Sequence, residues 1–539
     1  MCLKVQPPWA IPAETAAVGK VILKEASPYR LIGDRLFDRY REEDYADLYS
    51  TEGKPGISPV VLAFVTVFQF MERLPDRQAA ESLRMRMDWK YALHLPLAYE
   101  GFDHSVLSEF RDRLLEHQAE GRVFEQLVQE FRSMGLVKER GKQRTDSIAM
   151  LMKVRRLSRL ELVVETLRVA VGAILKVDRK WGEALIPPSW EEPYGERFVL
   201  QRHTKEEWAE HDKHVGSDGE WLIARVTGEG APAEIKSLPE VQVLKTVWAQ
   251  QFREKEGKIV YQVGTKYDGH TQIETPHDPE ARYSHKRIQE WVGGKVQVTE
   301  TDDEGYPHLI TDIAATCSNQ TDWESLPNIQ QRLEERQCQP EKQYVDSGYM
   351  SGPNLANSAQ MGIDLIGPLS PVISKQSKIA GGITTEQFDI DVEKQQATCP
   401  AGFSGKADLG WEGKIRFRFD DQICLACPLR TRCCTGKGGR TLCVGLTYPL
   451  LQIARQRQQT DTFKKDYHQH RSGVEGCLSA LVRGNGMRVS RYNSNRKRHL
   501  QALFSGSAAN IKRTARWLAG SRPNRNRQTW NLNSGLVSA

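Results

Sequence analysis

The chain has no run of about 18 apolar residues, so nothing in it reads as a membrane-spanning helix. Its opening, MCLKVQPPWAIP, lacks the pattern of a signal peptide, and the expected location is the cytoplasm, beside the nucleoid. After Glu475 there is no acid: the last 64 residues hold 12 Lys or Arg and no Asp or Glu. The formal charge of the whole chain is only +6, which leaves residues 1–475 at −6. Basicity confined to one end favours a nucleic-acid surface there over a generally sticky protein. Cysteine is scarce except in one block, where six of the ten lie between Cys399 and Cys443. Without an export signal, that clustering suggests metal before disulfides. What is present is ordinary globular material, 39% hydrophobic and 27% charged. Its 539 residues suffice for roughly three or four domains, or for one core with large insertions.

Residues 1–135 read as helical. Ser58-Pro59 is a cap followed by proline at the first helical position, and Val61, Leu62, Val65 and Phe68 give a stripe. Pro75-Asp76 ends that helix, Arg77–Leu93 predicts the next, and Asp103 caps a third with Val106, Leu107, Phe110 and Leu114 inward. Three short helices suit a helix-turn-helix module, or equally a small helical bundle. If the third is a recognition helix, His104, Ser105, Ser108, Arg111 and Arg113 face DNA.

Asp146 lies in a segment with Ile148 and Met150 at alternate positions, which predicts a strand; a surface aspartate capping the next helix is the plain alternative. Leu157 to Ile174 repeats at helical spacing, and Leu238–Lys255 predicts another helix, capped by Ser237, so residues 155–256 read as a helical insertion. Strands follow at Ile259-Val260, Lys295–Thr301 and Leu309–Ala314, and Gln343-Tyr344-Val345 leads into Asp346. The pattern is an α/β sheet of mixed direction, with Asp346 at a strand end where such sheets place ligands. Cys399, Cys424, Cys427 and Cys433, with Cys434 and Cys443 spare, fit a zinc-ribbon-like insertion through the Cys424-x2-Cys427 knuckle; metal-free thiols are the alternative. In KKDYHQHRSGVEGCLSALVRGNGMRVSR, a continuous helix would bring His468, Arg471 and Glu475 to one face.

Four stretches together resemble bacterial insertion-sequence transposases of the DDE class, in the branch with an N-terminal helical domain and a cysteine-bearing insertion. They are SPVVLAFVTVFQFMERLPDRQAAESLRMRMDWKYAL with DHSVLSEFRDRLL; RTDSIAMLMKVRRLSRLELVVETLR; EWVGGKVQVTETDDEGYPHLITDIAATCSNQTD with YVDSGYMSG; and CLACPLRTRCC with HRSGVEGCLSALVRGNGMRVSRYNSNRKRHLQAL. The resemblance implies a ribonuclease-H-like core carrying Asp146, Asp346 and Glu475 as first, second and third catalytic carboxylates. Related families have Tyr-x2-Arg-x3-Glu-x6-Lys on the last helix; here Arg471-x3-Glu475 fits, His468 stands at the Tyr position beside Tyr467, and Val482 at the Lys position beside Arg483.

The implied organisation is a DNA-binding domain (1–135), a core in two parts (136–372 and 449–518), the cysteine-rich insertion (373–448) and a basic flexible tail (519–539). The implied cofactors are two Mg²⁺ (or Mn²⁺) ions about 3.5–4 Å apart, clamping the attacking and leaving oxygens of a phosphodiester displacement, with Zn²⁺ a candidate in the cysteine block. The implied partner is double-stranded DNA, both the element's terminal repeats and its target, gripped by a homodimer on paired ends. Arg471 and His468 would hold phosphate near the metals, and Arg483, Arg488, Arg491, Arg496, Lys497 and Arg498 would neutralise flanking phosphates. Lys286 and Lys295 read as solvated surface charges, with phosphate contact as the alternative. Tyr492 is a candidate for stacking on bases, and Trp517 for core packing. Two other readings remain: an inactive DNA-binding relic, and a structure-specific nuclease on the same core.

Overall fold

The computed structural model describes residues 2–3, 10–153, 157–262, 271–286, 289–410, 413–434 and 436–522. Most of the 519–539 tail reading lies outside these residues.

The N-terminal helices start where local chemistry sets them. The Ser58 hydroxyl accepts the Val61 N–H (3.4 Å) and Pro59 opens α1 (Pro59–Glu72). α1 is buried all round from Pro59 to Met71, as an all-apolar helix must be. The single helix expected over Arg77–Leu93 is instead two, α2 (Asp76–Met85) and α3 (Met87–Ala92). They part at Arg86, which is extended (φ −96°, ψ 124°) and clasped by Glu72 and Asp88. α4 (Ser105–Glu116) begins where Asp103 Oδ1 accepts the Ser105 N–H (2.8 Å), and α5 (Arg122–Ser133) completes the group.

The chain then forms β1 (Lys142–Leu151) and leaves for a helical excursion, α6 (Arg159–Val177), α7 (Lys205–Thr227) and α8 (Pro239–Gln251). These pack on one another around Leu167, Leu222, Val247 and Trp248. The helix expected over Leu238–Lys255 stops at Gln251, and Leu238 rather than Ser237 is its cap. Phe252–Lys255 pairs instead with Lys258–Tyr261, because Glu256 and Gly257 both take positive φ (53° and 72°). That is the two-residue turn that matches a twisted hairpin, and it overrides the helical spacing.

On return the chain adds β2 (Arg282–Lys286), β3 (Gln289–Thr301), β4 (Ile310–Cys317), α9 (Asp322–Glu335), β5 (Lys342–Tyr344) and β6 (Asp364–Ile366). β1 lies antiparallel to β3 on one side and parallel to β5 on the other; β3 also carries β2 and β4, and β6 follows β5 in parallel. The sheet is thus mixed, with helices packed against it, as expected. Its Ile148, Val296, Val298 and Ile313 share a core with Leu326, Ile329 and Leu333 of α9. Between β6 and the last helices, residues 389–444 form a five-stranded antiparallel meander around Ile390, Phe417, Phe419 and Leu442.

The C-terminal end is helical: α10 (Asp461–Arg471), α11 (Val474–Asn485) and α12 (Asn495–Leu518). The one helix expected to carry His468, Arg471 and Glu475 is interrupted at Ser472-Gly473. α12 runs between the N-terminal helices and the sheet. Phe504 stacks on Phe70 of α1 (5.8 Å between centroids), and the Asn510 amide bonds both N–H and C=O of Ile310 (2.8 Å each). Among the described residues no helix is long and apolar enough to cross a membrane.

Candidate active site

Asp146 and Asp346 come together through strand register. Arg144 pairs with Tyr344 across the parallel β1–β5 contact, and two residues further along each chain stand the two aspartates. Asp146 is buried, its Oδ1 accepting the Ser147 N–H (2.7 Å) and its Oδ2 the Arg471 Nη2 (2.6 Å). Asp346 Oδ1 accepts the Gly348 N–H (2.7 Å), and Lys286 Nζ stands 3.9 Å from its Oδ2. Burial pushes the Asp346 carboxyl above its usual range, and the negative charge of Asp146 adds to the push; Gly348 and Lys286 oppose it.

A third carboxylate stands close by, and it is not the one expected. Asp322, in the first turn of α9, takes Lys295 Nζ (3.4 Å) and Gln297 Nε2 (3.2 Å) on its Oδ1. Asp322 and Asp346 flank Gly348, where a Cβ would lie 3.0 Å from Asp346 Oδ1 and 3.2 Å from Asp322 Oδ2. Buried Tyr349 hydrogen-bonds Gln297 through its hydroxyl. Burial, with Asp322, Asp146 and Asp346 all facing it, holds its phenol well above the ordinary range. In the sequence, Asp322 sits in TDWE, a helix-start pattern, and nothing there marks it as more.

Glu475 is exposed in the first turn of α11, a position the helix dipole favours for an acid. It lines a cleft of about 540 Å³ with Ser147, Lys286, Lys295, Asp322, Arg483 and Arg488. Its carboxylate makes no ion pair among the described residues, and among these residues no group of three His, Cys, Asp or Glu stands ready to hold a metal ion. Lys286 and Lys295, read as solvated charges, both belong to this cleft; Lys295 is largely buried against Asp322.

His468 is exposed, while Tyr467, one residue earlier, donates its hydroxyl to the Val345 carbonyl (3.1 Å) beside Asp346. The i, i+4 spacing of Tyr467 and Arg471 was the available signal.

The basic residues divide. Arg483 and Arg488 are exposed on the cleft wall. Arg498, expected on DNA, is fully buried with Asp278. Arg111 is buried against Asp76 (2.6 Å) and Gln69, and Arg113 lies over the Tyr49 ring (4.6 Å). Arg491 covers Phe70 (4.8 Å), Arg496 meets Glu120 (3.3 Å) and Lys497 meets Asp112 (3.0 Å). Those two acids lie on or just beyond α4, so Arg496 and Lys497 fasten α12 to the N-terminal helices. Tyr492 packs under Arg111 (5.6 Å), and Trp517 joins the N-terminal core.

Cys399, Cys424, Cys427, Cys433 and Cys434 line one cavity, all as free thiols, with Cys443 exposed outside it. Burial pushes the Cys433 thiol up, with Cys434, Cys424 and Cys399 adding to it against Arg440. The quartet expected to bind zinc is thus gathered at one cavity, and among the described residues no group of three His, Cys, Asp or Glu is placed to hold a metal ion.

Residues 398–515 match the family model of the transposase DDE domain, and residues 19–113 match a second transposase domain, DUF772. Over these two stretches the chain is similar to transposases. Both matched models are transposase domains, the first of the DDE type, as in the insertion-sequence transposases that the sequence resembles. The first match contains Glu475 and the cysteine block; Asp146 and Asp346 lie outside both. No curated protein and no solved structure matches the chain.

Proposed function

We propose that the cleft is the catalytic centre of a transposase that cuts DNA at the ends of its element and joins the freed 3′-OH to target DNA, on a ribonuclease-H-like core. The observation that carries the reading is that strand register brings Asp146, in the middle of β1, beside Asp346, just past the end of β5, next to a cleft lined by Ser147, Asp322 and Glu475. Burial and the neighbouring charge of Asp146 both push the Asp346 carboxyl up, so the site is short of positive charge, and an oxygen-only donor set suits Mg²⁺ or Mn²⁺. Asp146, Asp346 and Glu475 would hold the ions, Glu475 approaching from across the cleft. When bound, such ions neutralise the carboxylates and polarise the attacking and leaving oxygens of an in-line displacement.

The chain's own residues supply the rest. Arg471 neutralises Asp146 until substrate arrives, Lys286 stands beside Asp346, and Arg483 and Arg488 present cations to the DNA backbone. Lys295, held by Asp322, keeps the cleft floor rigid. The cysteine cavity enters no step.

The test is incubation of the protein with Mg²⁺, a labelled element end and a plasmid. Joined product is the expected outcome. Nicking without joining would make the protein a nuclease, and binding alone a relic.

A further inference from the structure

Arg144 stands two residues before Asp146 on β1 and is 4% exposed. Its charge is matched by Glu300 Oε1 (2.7 Å) and Asp302 Oδ1 (3.0 Å). One further bond sets it apart. Its Nη1 donates to the backbone carbonyl of His470 at 3.0 Å. In an uninterrupted helix that carbonyl would take the Val474 N–H. Here α10 ends at Arg471 and α11 starts at Val474. A side chain inserted into the i→i−4 ladder is a known cause of such a break.

Backbone strain does not explain the interruption. Ser472 (φ −59°, ψ −29°) and Gly473 (φ −69°, ψ −19°) both lie in the right-handed helical region. Gly473 is needed for another reason: a Cβ there would lie 2.1 Å from Arg144 Nη1. The chain between Arg471 and Glu475 is bare where the guanidinium arrives. His470 is held from the other side, Nδ1 2.6 Å from Asp302 Oδ2 and its ring stacked on Tyr344 (4.8 Å). Ser472 Oγ donates to the His468 carbonyl (2.9 Å).

We propose that Arg144 is a positioning residue, a wedge that opens the helix at Ser472-Gly473 and thereby aims Arg471 at Asp146 while leaving Glu475 on the cleft wall. This rests on the assignment of Asp146, Arg471 and Glu475 to the catalytic centre. Because Arg144 and Asp146 share one strand, the first carboxylate and the corner carrying the third are tied through a single side chain.

Arg144→Lys separates wedge from counter-ion. Lysine keeps a cation for Glu300 and Asp302 but lacks the fork that also reaches the carbonyl. The expected protein remains folded, binds element-end DNA with unchanged affinity, and cleaves about 100-fold more slowly at saturating DNA, the effect of a small misplacement of reacting groups. Amide exchange over residues 470–476 speeds up. Cleavage at the wild-type rate overturns the proposal.

If Arg144→Lys does not fold, Gly473→Ala decides. The helical backbone there accepts alanine, so the added methyl disturbs only the guanidinium contact. A comparable loss supports the wedge, and wild-type cleavage removes it. Failure of the underlying assignment looks different, since Glu475→Gln would then still cleave. In that case exchange over 470–476 still tells whether Arg144 holds the corner.

Discussion

Arg483 and Arg488 stand exposed on the cleft wall, while Arg498, a few turns along the same basic stretch, is fully buried against Asp278. The side chains are identical, and their surroundings decide what each one does. At the end of α11 the chain faces an open groove, so a guanidinium is free to meet phosphate. In α12 it runs through the middle of the molecule, with Asp112 and Glu120 among the acids on one flank and Asp278 on another. There a guanidinium becomes a clamp. A charge count along the sequence measures the sum of both roles and separates neither.

Substitutions break or sharpen this contrast. The largest effect belongs to the cleft: Glu475→Gln is expected to abolish cleavage while end binding persists, read from a labelled-end gel with and without Mg²⁺. Next comes the clamp. Arg498→Ala leaves Asp278 buried and unpaired, and the expected loss is about 3–5 kcal/mol of stability, measured by denaturant unfolding. Arg488→Ala and Arg483→Ala should do the reverse, melting as wild type while each weakens DNA binding and lowers the slope of log affinity against log salt by about 1. An Arg488→Ala protein with wild-type salt dependence would take that residue off the DNA.

The smallest effect is electrostatic and concerns Asp346. Its folded pKa is raised, so the unfolded chain gives up the proton first, and stability falls as pH rises from the ordinary aspartate range through the folded value. Asp346→Asn removes that penalty. It should melt slightly higher than wild type at neutral pH, with the difference vanishing below about pH 4, and it should not cleave. Equal melting temperatures at neutral pH would mean that neither burial nor the charge of Asp146 penalises the ionised Asp346.

Much of the frame was legible beforehand, and the reasons are local. Alternation at Asp146, Ile148 and Met150 marks a strand because side chains on a strand change face at every residue. Ser58-Pro59 and Asp103 mark helix starts because orphan N–H groups need acceptors or proline there. The strand at Phe252–Lys255 is hidden because helical spacing continues up to the Glu256-Gly257 turn, and its partner strand lies on the far side of that turn. Asp322 was hidden for a different reason, since a helix-capping pattern looks the same whether or not it borders a cleft.

By itself, then, the order of residues determined where strands and helices begin and that positive charge gathers after Glu475, because propensity, capping and net charge depend on near neighbours or on simple sums. Only the tertiary structure decided which arginines face the groove, that Asp322 stands beside Asp346, and that the helix carrying Arg471 stops short of Glu475. Each of these turns on a partner far away in the chain. The contact of Arg144 with the His470 carbonyl spans 326 residues, and no local rule connects two groups that meet only when the sheet and the last helices close on each other.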